Sequence, residues 1–120
     1  MTITCRPIPG KNKYELLEEF SFHAFEKVWI IPAHFHWDGA SIPRFFWRVV
    51  GTPFEPIHMR AALVHDWFCV YQPDGTNFEM AADLFCEMLL QDGKSRRMAS
   101  IMRKAVVFGG PKWDKVVNEA

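Results

Sequence analysis

The apolar residues of this chain recur with one rhythm up to about residue 45 and with another beyond it. From Lys13 to about Phe25 they follow a period of two. Leu16, Glu18, Phe20 and Phe22 fall on one face, and Leu17, Glu19, Ser21 and His23 on the other, as an extended chain requires. Glu26-Lys27 reads as a turn. Val28-Trp29-Ile30-Ile31-Pro32 resumes a β-rich run that Pro32 ends. A short antiparallel sheet is the simplest prediction.

The next stretch, His34-Phe35-His36-Trp37-Asp38, alternates strictly. If extended, it sends His34, His36 and Asp38 to one side, a face able to hold a metal, and Phe35 and Trp37 to the other. The simpler reading is an edge strand with its aromatics packed inward. Gly39 permits a turn, Asp38 or Ser41 would cap the amides that follow, and Phe45–Val50 reads as a short helix ended by Gly51.

Helical periodicity then takes over. Pro56 to Tyr71 carries one stripe of Ile57, Ala61, Val64, Phe68 and Tyr71 and a second of His58, Ala62, His65 and Cys69. Its later half is apolar almost all round and is predicted to be buried. Gln72–Asn77 is a turn signal. A helix over Phe78–Gln91 would bury Ala81, Leu84, Phe85, Met88 and Leu89, with Asp83 at the edge of that face. The next, from about Ser95, would bury Met98, Ile101, Met102, Ala105 and Val106 before Phe108-Gly109-Gly110-Pro111 breaks it. The fold expected is α+β: a short N-terminal antiparallel β-sheet, then three main helices packed around a buried His-Asp helix, in a single domain over residues 1–120.

Composition narrows the function classes. In 120 residues, 49% are hydrophobic and eleven are Phe, which is enough for a core and argues against disorder. Lys+Arg and Asp+Glu are fourteen each, so no global field draws the chain to nucleic acid or an acidic membrane. Three cysteines without close pairing do not make a disulfide framework. Neither a secretory signal nor a run long enough to span a bilayer is read in the sequence, so a cytoplasmic protein is expected.

Four ordered blocks carry a family likeness: Asp38-Gly39-Ala40-Ser41-Ile42-Pro43-Arg44, Ala61-Ala62-Leu63-Val64-His65-Asp66-Trp67, Ala82-Asp83-Leu84-Phe85, and Ala105-Val106-Val107-Phe108-Gly109 with Trp113. Over roughly residues 30 to 113 the chain resembles the domain of unknown function 1353 family, small proteins of bacteria and their phages. The resemblance implies a phage or prophage origin, and hence the host cytoplasm or the virion as location, but no reaction. Its family-like positions are Asp38, Ser41, Pro43, Arg44, His65, Asp66 and Asp83. His34 and His36 depart from the pattern, which counts against a shared zinc site built on them.

Two functions stay open. In the first, the chain is a phage or prophage accessory protein that acts by binding a phage or host protein, as a virion component or an antagonist of a host or defence factor. In the second, it is a small metal-dependent hydrolase. Adjacent His65 and Asp66 on one helix are similar to the dyad of HD phosphohydrolases. Asp38 and Asp83 would complete a set for Zn²⁺, Mg²⁺ or Mn²⁺, and Arg44 would steady an anionic substrate. Ser41 is a weaker candidate, because no nucleophile elbow surrounds it. The structural alternative weighs equally: His65 bonded to Asp83 or a carbonyl, and Asp66 paired with Arg44 or Arg103. Cys69, one turn from His65, would share a metal or simply pack. Arg96, Arg97, Arg103 and Lys104 give the last helix a basic side for an acidic partner. Interleaved aromatics are lacking there, so nucleic acid is not the expected partner.

Overall fold

The computed structural model describes residues 3–38, 46–51, 55–109 and 113. Antiparallel strands come first and helices follow, an α+β fold. The chain divides into two compact units, Met1–Asp38 and Gly39–Ala120.

The first unit holds two sheets where one was expected. β1 (Cys5–Pro7), β2 (Tyr14–Leu16) and β5 (His36–Trp37) form one, in the order β1-β2-β5. β3 (Phe20–Ala24) and β4 (Lys27–Ile31) form a separate hairpin. The run predicted as continuous from Lys13 to Phe25 breaks at residues 17–19, where Leu17, Glu18 and Glu19 are all exposed. β1 escaped the sequence reading because Cys5-Arg6-Pro7 shows no alternation, and Pro7 suits only an edge.

Within the three-stranded sheet, β2 is central. Arg6 lies opposite Glu15, and Glu15 opposite His36, so three ionisable side chains form one row across the strands. On the other side of the pleat Tyr14 stacks on Trp37, with ring centroids 5.9 Å apart. The hairpin buries Phe20, Phe22 and Ala24 from β3 and Ile31 from β4. Its turn places Phe25 and Glu26 at φ 52° and 61°, the left-handed pair of a two-residue hairpin, without the Asn or Gly that usually fills it. Trp29 Nε1 donates to the Ala24 carbonyl at 2.8 Å and ties the strand back across that turn.

The second unit is helical: α1 (Trp47–Val50), α2 (Pro56–Tyr71), α3 (Phe78–Gln91) and α4 (Arg96–Gly109). The main boundaries agree with the predicted ones, because each has a local chemical cause. Pro56 sits in the first turn of α2, where its missing N–H costs nothing. Asn77 caps α3 by accepting from the Met80 amide at 2.8 Å, and Glu79 in the first turn complements the dipole. Ser95 accepts from the Met98 amide at 3.2 Å and starts α4.

α2 is buried continuously from Ala61 to Phe68, as its all-round apolar character predicts. Among the described residues of this unit, Phe68, Phe85, Leu63, Met88, Leu89 and Met102 are large apolar side chains fully enclosed, together with His58 and His65. Each such apolar burial is worth roughly 1.5–3 kcal/mol. Arg60 fastens α2 to the end of α3, donating to Asp92 at 3.1 Å and Gln91 at 2.7 Å. No helix among the described residues is long and apolar enough to cross a membrane.

Candidate functional site

His65 and Asp66 lie in the middle of α2, and both are buried. The polar neighbour of His65 among the described residues is the Cys69 sulfur, one turn on, at 3.8 Å from Nδ1 and 3.9 Å from Nε2. Near-equal separations put the sulfur off the in-plane lone-pair direction of either nitrogen. They also exceed the reach of a working nucleophile–base pair. This is packing with weak polarity. The Phe85 ring closes the other approach, its centroid 5.3 Å from that of the imidazole.

Desolvation is therefore what sets the charge of His65. Burial pushes its pKa down to about 4, so the ring is neutral at physiological pH.

Asp83 projects from α3 into solvent and receives the Arg103 guanidinium from α4, Nε to Oδ1 at 2.7 Å. Asp83 and Arg103, expected from sequence as candidate partners of His65 and of Asp66, are instead joined to each other by a salt bridge, while the alternative of Asp66 with Arg44 falls on a residue outside the described ones. The reason is position: Asp83 stands at the rim of the buried face of α3, where a long arginine on the adjacent helix reaches it without desolvation. Arg44 and Ser41 lie outside the described residues. Asp38 ends the β-rich unit and is exposed. Among the described residues no group of three or more His, Cys, Asp or Glu is arranged to hold a metal ion.

Cys69 has a role that sequence spacing did not suggest. The Trp113 indole N–H donates to its sulfur at 3.4 Å, across 44 residues of sequence, and Trp113 is itself buried. A polarisable sulfur thus sits between a neutral imidazole and an indole. The three cysteines are not in disulfides. Burial pushes the Cys5 and Cys86 thiols up from the ordinary cysteine value.

The second histidine cluster is on the surface of the β-rich unit. Glu15 accepts from Arg6 at 2.9 Å and from His34 Nδ1 at 3.0 Å, with His36 Nε2 4.0 Å away. His34 does not extend β5, as strict alternation predicted. It sits in a turn at φ 75°, and its amide donates to the Leu16 carbonyl at 2.6 Å. The His34 hydrogen bond, and then Arg6, hold the Glu15 carboxyl below the usual carboxylate range despite some opposing desolvation.

Comparison with known proteins places the chain in a family. The chain matches the family described as protein of unknown function (DUF1353) over residues 14–106, and it belongs to that family. The blocks at 38–44, 61–67 and 82–85 lie within the matched span. The chain is 36% identical over 113 residues to the uncharacterized protein y4jT of Sinorhizobium fredii, covering 88% of this chain and 32% of that protein. It is 31% identical over 112 residues to y4iH of the same bacterium, covering 92% of this chain and 46% of that one. The chain thus spans less than half the length of either curated relative. No solved structure matches it.

Proposed function

We propose that this chain acts by binding a protein partner, as an accessory module, rather than by catalysing a reaction. The observation that carries the reading is the outer face of the β3–β4 hairpin. There Val28 and Ile30 stand 68% and 52% exposed, side by side on one strand, while Ile31 is buried. Two neighbouring β-branched side chains in water are a cost that an interface would remove. The left-handed Phe25 and Glu26 at the tip add backbone strain, which tends to gather at recognition sites. A phage or prophage setting, as virion component or host-factor antagonist, is the context we propose for that binding.

The hydrolase reading draws less support. Its histidine is enclosed and neutral, and one of its carboxylates is engaged by an arginine.

The chain immobilised and exposed to bacterial lysate is expected to retain a partner saturably. The double variant V28K/I30K should retain it about tenfold less well, near 1.4 kcal/mol, at unchanged melting temperature. Equal retention by both proteins would overturn the reading. Stoichiometric metal in protein purified without chelator, with added metal raising the melting temperature, would favour the hydrolase instead.

A further inference from the structure

From Lys94 to Gly109 the chain contains no acidic residue, although its overall charge is balanced. The structure sorts the cations of this stretch into two kinds. Arg103 is neutralised by Asp83. Arg96, Arg97 and Lys104 are exposed and have no ion-pair partner among the described residues. Arg96 and Arg97 also occupy the first turn of α4, which holds no acid, so the helix dipole opposes both charges. Nothing local repays that placement.

On a helix, Arg97, Lys104 and Phe108 share one line, separated by seven and then four residues. The opposite side of α4 is buried through Ala99, Met102, Ala105 and Val106, so this line faces outward. Phe108 is 74% exposed, even with the Phe46 ring edge-on at 6.4 Å. The two cations lie about 10 Å apart along the axis, with the phenyl ring about 6 Å farther on.

We infer that the outward face of α4 docks an acidic protein segment, with carboxylates on Arg96, Arg97 and Lys104 and an apolar side chain against Phe108. Charge complementarity names the occupant: a row of unneutralised cations ending on one exposed ring fits carboxylates followed by an apolar residue. Arg103, which the sequence reading included, is already paired with Asp83, and the exposed Phe108 ring adjoins the cations left unpaired among the described residues. The inference rests on the binding reading for the partner being a protein. It assigns a surface that the hairpin does not include.

The test uses a synthetic peptide alternating Glu and Leu, with fluorescence anisotropy on the whole chain. Peptide affinity should fall about tenfold between about 50 and about 200 mM salt. R96E/R97E/K104E should weaken it at least about tenfold, and F108A about threefold. Acidic residues are favourable at a helix N-terminus, so the reversed variant should keep the wild-type melting temperature. V28K/I30K should bind the peptide as the wild type does, which separates failure here from failure of the hairpin reading. Salt-independent binding, no binding, or unchanged affinity in the charge-reversed variant would overturn the proposal. So would tighter binding of an oligothymidylate of equal charge.

Discussion

His34 and His65 are one residue type in two solvents. His34, on the surface of the β-rich unit, is hydrogen-bonded to a carboxylate at 3.0 Å and leaves 75% of its side chain exposed. His65, in the core of the helical unit, has a sulfur and a phenyl ring for neighbours, and burial pushes its pKa down to about 4. The comparison runs against what the sequence suggests. The histidine set in an apolar run, next to an aspartate, looks more like a reaction centre than one in a polar strand. In the fold, the apolar surroundings hold His65 neutral, and the exposed histidine keeps the charged neighbours.

The largest effect expected is at the wall of the buried site. Phe85→Ala removes the ring against His65 and should cost about 3–5 kcal/mol of unfolding free energy, read from urea midpoints.

Next comes the pH response of His65 itself. Its folded pKa lies below the ordinary histidine value of 6.5, so the unfolded chain binds the proton more tightly. Stability is full above pH 6.5, declines as pH falls, and levels off below about pH 4. The difference amounts to about 3 kcal/mol. His65→Leu should flatten that decline while remaining within about 1.5 kcal/mol of wild type at pH 7.5. An unaltered pH profile in the variant would mean that another group carries the acid response.

Smaller effects belong to the surface pairs. Arg103→Ala breaks the bridge to Asp83, whose side chain is 66% exposed. Solvent screening limits the loss to about 0.2–1 kcal/mol, and high salt should erase it. The least is expected of Glu15→Gln, a change at the edge of detection by thermal melting. The stabilisation that Glu15 gives is present above the ordinary carboxylate pKa of 4.5 and is lost as pH falls through its depressed folded value.

The helical half was legible because each boundary carries its own punctuation: Pro56 at the start of α2, Asn77 before α3, Ser95 before α4. Periodicity alone named Ala81, Leu84, Phe85, Met88 and Leu89 as the buried face of α3. The β-rich half was harder. Three-residue strands carry too few side chains to show a period, and Leu17 is apolar yet 39% exposed. At the site, the one-turn spacing of His65 and Cys69 was readable, since a helix guarantees it. The Asp83–Arg103 bridge and the reach of Trp113 to Cys69 were not, because both depend on how separate segments come together.

The central claim is that burial encloses His65 and holds its ring neutral. Nitrogen NMR of the His65 ring, followed from pH 7.5 downward with and without added Zn²⁺ or Mn²⁺, tests it directly. The account predicts a neutral ring until about pH 4, with signals that neither ion moves or broadens selectively. Titration near pH 6.5, or a metal-dependent shift at His65, would contradict it.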